Sequence, residues 1–144
     1  MRIGAYASIC IWMRSSSDAP MPSIAAFTHG RRPVTMTGLD KWYGYMKSHD
    51  GAALWDLLHP DAVFESPVVH TPQRGREITF KYLSSAEKVL GGAGFAYVGE
   101  WRSDTGAVLE FEKEIDGIKI NGVDIITFDA AGRITHFKVM VRPL

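Results

Sequence analysis

The chain has 144 residues, 46% of them apolar, and its 16 lysines and arginines balance 16 aspartates and glutamates. That length carries one substantial core and not two, and a neutral chain without a basic cluster excludes nucleic acid as an expected partner, because phosphate binding needs concentrated Lys and Arg. Cys10 stands alone, so no internal disulfide can form; no apolar run has the length to cross a bilayer, and the expectation is a cytoplasmic protein without a membrane partner.

Residues 1–36 read differently from the rest. They contain arginines but no lysine, one acid (Asp18), serines at 15 to 17 and scattered prolines, with no sustained apolar period. Residues 3–13, IGAYASICIWM, have the look of a short signal-peptide core behind Arg2, with Ser17-Asp18-Ala19 as a small-residue cleavage site. Pro20 after the cut and a single preceding Arg argue against it. The preferred reading is a disordered upstream extension, with Met21 or Met36 as the natural start and residues 37–144 as the domain.

From residue 37 the pattern becomes regular. Thr37 and Asp40 have capping-box spacing, followed by Leu39, Trp42, Tyr43 and Met46 at helical intervals, which predicts an amphipathic helix ending near Ser48. Asp50 can cap a second, short helix with Ala53, Leu54, Leu57 and Leu58 on one face, stopped by His59-Pro60. Residues 62–69 are strand-like. Gly75 then opens a third helix with Ile78, Tyr82, Ala86, Val89 and Leu90 inward and Gly91-Gly92 at its end. The remainder reads as strands at 95–103, 107–115, 118–128 and 134–142, separated by turns that include Asp116-Gly117, a strong hairpin signal. The order predicts an α+β fold: a cone-shaped, curved antiparallel sheet with three helices on its concave face, enclosing a cavity fit for a ligand.

In residues 37–144 this order resembles the nuclear transport factor 2-like superfamily, and within it the SnoaL-like and ketosteroid isomerase-like branch. The resemblance is carried by DGAALWDLLHPDAVFESPV, by the Pro72–Gly75 segment and by VDIITFDAAGRITHF. It implies a small protein, often dimeric, in a superfamily whose functions range from isomerases, dehydratases and cyclases to transport and scaffold proteins, so the reaction has to be argued from the site. Carried over residue by residue, the isomerase general-base slot in Glu65-Ser66-Pro67 is Ser66, which is no carboxylate. The first-helix tyrosine slot falls at Trp42, and the acid of the meander survives as Asp124.

Asp124 also stands out from the strand pattern, since its row carries Ile118, Ile120, Ile126 and Phe128. Desolvation there raises a carboxyl pKa and can keep the group protonated as a donor. The handling of a neutral carboxylic acid in an apolar site is best known from ketosteroid isomerase itself. Glu65 has the opposite parity to Ser66, which places Ser66 in the cavity and Glu65 on the outer face, with a local bulge the way to re-aim it. His70 follows the first strand near the cavity mouth, where Arg74 or Arg76 can join it as a polar lid. Candidate catalytic residues are therefore Asp124, Glu65 and His70, and candidate ligand contacts Trp42, Tyr43, Ser66, Tyr82, Ile126, Phe137 and Val139. No histidine pair has metal-ligand spacing and no Gly-rich phosphate loop occurs, so neither metal nor cofactor is expected. Two functions stay open: a cofactor-free isomerase, dehydratase or cyclase acting on an apolar, polyketide- or steroid-like substrate, and a non-catalytic protein whose cup only holds a small apolar ligand. Val123, Ile125 and Met140 on the rows facing away from the cavity predict a homodimer.

Overall fold

A computed structural model describes residues 34–143. The expectations for a leader or a disordered extension fall on residues outside that range, except that helix α1 (Val34–Ser48) already includes Val34–Met36. Thr37 thus lies a turn inside the helix, and the Thr37–Asp40 spacing does not mark its start. Helix α2 (Gly51–Leu57) is capped by Asp50, whose Oδ1 accepts from the Ala52 N–H at 2.9 Å.

Strand β1 (Leu58–Ser66) begins at once, four residues earlier than the strand expected at 62. Its register against β6 (Ile134–Arg142) shifts between Leu58 and Val63. Pro60 falls inside that irregular stretch, where its missing N–H interrupts no ladder. Strand β2 (Val69–Arg74) was not anticipated. Pro72 disguised it, yet β2 is the sheet's terminal strand, the place where proline is tolerated. After helix α3 (Arg76–Leu90) come β3 (Ala96–Arg102), β4 (Gly106–Ile115) and β5 (Ile118–Phe128) before β6.

The six strands form one sheet in the order β2-β1-β6-β5-β4-β3. All neighbours are antiparallel except β1 and β6, which run parallel. The sheet is therefore mixed rather than purely antiparallel, curved and not closed, and with the three helices it makes the α+β cone. Asp116 and Gly117 both take positive φ (52° and 80°), the backbone that a tight hairpin with matching twist requires.

The inner face of the sheet alternates as strand geometry demands: Leu109 and Phe111 on β4, Asp124, Ile126 and Phe128 on β5, and Phe137 and Val139 on β6 are all buried. Helix α1 lays Leu39, Trp42 and Tyr45 on this surface. Gly38 permits the close approach, because a Cβ there would stand 2.5 Å from the Phe128 ring. Helix α3 buries Thr79 and Leu83 rather than the expected Ile78 and Val89, the latter being 65% exposed. The rotation has a polar cause: the Thr79 hydroxyl donates to the Ala62 carbonyl at 3.2 Å, and the Gly75 N–H donates to the same oxygen at 2.8 Å. Among the described residues no helix is long and apolar enough to cross a membrane.

Candidate active site

Between α1, α3 and the inner sheet face lies a cavity walled by aromatic rings. Trp42 packs against Phe137 and Tyr45, with ring centroids 5.0 and 5.4 Å away. Phe95 stands edge-on to Tyr97 at 5.1 Å and stacks on Phe111 at 5.3 Å. Phe111 has room because β5 carries Gly122 opposite it, where a Cβ would come within 2.4 Å of the ring. The free space is about 50 Å³, enough for a few water-sized groups. A wider apolar hollow of about 370 Å³ adjoins it, reaching Tyr82, Val89 and Ile120. Phe64, Ala86, Leu90 and Val139 line both.

Asp124 lines the inner cavity and is 6% exposed. Burial pushes its carboxyl up to about 7, and the hydrogen bond from Tyr97 only partly opposes that rise. The Tyr97 hydroxyl lies 2.7 Å from Asp124 Oδ2, and Trp42 Nε1 lies 3.0 Å from the Tyr97 oxygen. Donor direction follows from the chemistry of the groups: an indole N–H only donates, so the Tyr97 oxygen accepts from Trp42 and its own proton goes to Oδ2. When Asp124 is protonated, the proton accordingly sits on Oδ1. Among the described residues Oδ1 has no hydrogen-bond partner. Burial, then the charge of Asp124, raises the Tyr97 pKa far beyond any working pH, so Tyr97 remains a donor throughout.

Local strand geometry sets up this chain. The β3–β4 register shifts between Tyr97 and Gly99, and across that bulge both Tyr97 and Glu100 turn toward α1. Tyr97 meets Trp42, and the Tyr43 hydroxyl donates to Glu100, which also receives Arg102 Nε. Tyr43 is thus held in an outer cluster beside the cavity. Burial and the neighbouring Glu100 raise its pKa to about 12.

The other expected residues divide into three places. Phe137 and Val139 line the cavity with Trp42 and Asp124, whereas Ile126 is sealed in the core next to them. Tyr82 stacks on Phe64 at 5.2 Å and lines the wider hollow. Ser66 lies at the β1–β2 turn with its Oγ accepting from the Val68 N–H at 3.3 Å; it borders the wider hollow and not the inner cavity. Glu65, Ser66 and the exposed His70 share another hollow, where the β1–β2 turn lies beside Lys138–Met140 of β6. Glu65 is paired there with Lys138 at 3.0 Å and His136 at 2.8 Å, and these hydrogen bonds, that of Lys138 foremost, hold its carboxyl below the usual range. The structure therefore does not bring Glu65 or His70 to Asp124.

Two residues of the site escaped the sequence reading. Nothing in the strand pattern around Tyr97 marks it, although its inward position next to a buried acid gives it the role of proton-bonded partner. Glu87 lines the inner cavity from α3 and is paired with His49 at 2.7 Å, between the last turn of α3 and the end of α1. No pattern in the helix marks Glu87, because its partner lies on a different element. Among the described residues, no three His, Cys, Asp or Glu side chains gather as a metal would require.

Comparison with known proteins agrees with this architecture. Residues 39–137 match the SnoaL-like domain family. A steroid delta-isomerase from Pseudomonas aeruginosa is 37% identical, with 77% of this chain and 81% of that chain covered and a TM-score of 0.71. A cystatin-like-fold protein from Silicibacter pomeroyi DSS-3 is 24% identical over 74% of each chain with a TM-score of 0.65. An NTF2-like protein of unknown function from Mesorhizobium loti is 21% identical, covering 80% of this chain and 96% of that one, also with a TM-score of 0.65. No match was found among curated proteins. By the match over most of its length, the chain belongs to the SnoaL-like domain family, on the NTF2-like, ketosteroid isomerase-like branch.

Proposed function

We propose that this protein is a cofactor-free enzyme of the isomerase or lyase kind, acting on a small apolar molecule whose one oxygen lodges against Asp124. The observation that carries the reading is the one-way chain Trp42 to Tyr97 to Asp124, which leaves one oxygen, Oδ1, without a partner among the described residues, on a carboxyl raised to about 7 inside an apolar cavity. Below that value Oδ1–H donates to the ligand oxygen, and on transfer the proton moves from Oδ1 to that oxygen. The charge left on the carboxyl is then spread onto Oδ2, where Tyr97 already donates. A group whose pKa lies near the working pH can return to either state between turnovers. The inner space of about 50 Å³ fits the polar end of a ligand, and the adjoining apolar hollow of about 370 Å³ suits a flat body.

A second reading, ligand holding without turnover, is favoured by Ser66. Its hydroxyl stands in the slot of the isomerase base and is engaged in a turn, so β1 offers no carboxylate to the cavity. One experiment separates the two. The name of the Pseudomonas relative suggests a steroid with a β,γ-unsaturated ketone as probe, followed by ultraviolet absorbance of the conjugated product, with 2-naphthol fluorescence as an independent measure of binding. The enzyme reading expects turnover that declines above about pH 7 and is lost in Asp124→Asn. Naphthol binding weakened by Asp124→Asn without turnover of this or related unsaturated ketones favours the second reading, and binding indifferent to Asp124 overturns both.

The homodimer rests on the outer sheet face, where Trp101, Ile125 and Met140 are 58%, 37% and 50% exposed. Apolar side chains gathered on one face support burial against a second copy. Sedimentation giving a monomer mass at micromolar concentration would contradict it.

A further inference from the structure

At the opposite end of α3 from Glu87 is a third hollow, of about 680 Å³, bordered by Trp55, Pro60, Arg74, Arg76, Ile78 and Lys81. Three cations meet there against one acid, Glu77, which lies in the same lining and is paired with Lys81 at 2.8 Å. Lys81 and Glu77 offset each other, and the excess charge belongs to Arg74 and Arg76. Neither forms an ion pair among the described residues.

Arg76 is more than a surface cation. Its guanidinium lies 5.4 Å from the Trp55 ring centroid, which holds the planar group in place. Its Nε is buried without a hydrogen-bond partner among the described residues. The terminal guanidinium nitrogens, which are not sealed off in this way, are the donors open to an acceptor in the hollow. The adjacent start of α3 adds to the attraction: Gly75 precedes it without a side-chain cap, so the first-turn N–H groups lack that acceptor. Trp55, Pro60 and Ile78 supply an apolar side to the same hollow.

We propose that this hollow is a binding site for the oxyanion group of a small molecule, a phosphate or a carboxylate, held by Arg74 and Arg76 and distinct from the Asp124 cavity. Guanidinium groups match the planar or tetrahedral oxygens of such ligands in a way that ammonium groups do not.

The test is calorimetric titration of the full chain at constant ionic strength with inorganic phosphate, phenyl phosphate and benzoate, using chloride as the salt control. Saturable binding of at least one oxyanion is expected, weakened fivefold or more in Arg76→Gln and in the exposed Arg74→Gln, while both variants keep wild-type 2-naphthol binding in the inner cavity. Tighter binding of phenyl phosphate than of benzoate assigns the site to phosphates, and the reverse order assigns it to carboxylates. Heat that never saturates, or affinity unchanged in both variants, overturns the site. Because naphthol reports on the Asp124 cavity, failure here is distinguishable from failure of the catalytic reading.

Discussion

Asp124 and Glu65 are carboxyl groups on two sides of one sheet, and the sheet gives them opposite chemistry. Asp124 faces inward among aromatic rings, and burial raises its pKa to about 7. Glu65 belongs to the outer cluster with Lys138 and His136, which hold its pKa down. The difference shows that strand parity decides whether an acid in this fold can carry a proton at neutral pH. A carboxylate already engaged by a lysine and a histidine at the surface is a poor base, whereas a desolvated one with a free oxygen is poised to exchange protons.

The largest expected effect comes from removing the inner carboxyl. Asp124→Asn keeps an acceptor for Tyr97 but cannot transfer a proton, and turnover of a responsive substrate is expected to fall by about a hundredfold or more. Glu65→Gln is expected to change it by less than about threefold, within the scatter of a distant surface change. Comparable losses in both variants, measured by steady-state kinetics, would erase the contrast between the two faces.

A second contrast lies in the pH dependence of stability. The folded Asp124 pKa is raised from an ordinary aspartate's 3.8 to about 7, so its contribution is fully present below about 4 and is lost as pH rises through about 7. A rise of that size corresponds to at most a few kcal/mol. Urea unfolding from pH 4 to 8 should show wild type losing stability relative to Asp124→Asn. Glu65 has the opposite sign: its lowered pKa gives stability above the unfolded carboxyl pKa, lost as the medium is acidified through the folded one. Glu65→Gln should leave the loss between pH 4 and 7 intact.

Tyr97→Phe sharpens the inner half of the comparison. It removes the hydrogen bond that lowers the Asp124 pKa and strands the Trp42 N–H, so the carboxyl should titrate higher than in wild type. A stability loss of about 1–3 kcal/mol should accompany the change. An Asp124 titration that does not move would show that Tyr97 is merely a neighbour. The smallest effect belongs to the outer cluster: Glu65→Gln should lower stability least of these variants, because partly exposed ion pairs are screened by water and salt, and the cost should shrink in 1 M salt.

How much of this could be read in advance depended on how local each cause was. The burial of Asp124 follows from alternation along a single strand, and the Asp116-Gly117 hairpin from two residues, so both are legible in the sequence. The parallel pairing of β1 with β6 joins segments some seventy residues apart and leaves no local mark. Strand β2 was concealed by Pro72, which is tolerated only because β2 lies at the edge. The exposed face of α3 was misjudged because apolar residues were counted and Thr79 was not, although the Thr79 hydroxyl bond to Ala62 sets the helix rotation. Tyr97 was missed for a similar reason: its two partners stand 55 and 27 residues away, and a bulge in β3 aims it.

The most direct test of the central claim is a ¹³C NMR titration of the Asp124 side-chain carboxyl, assigned by its absence in Asp124→Asn. A midpoint near 7 that shifts when 2-naphthol fills the cavity is the predicted result. A midpoint at or below about 4, the range of an ordinary aspartate, with no response to the ligand, would contradict the account.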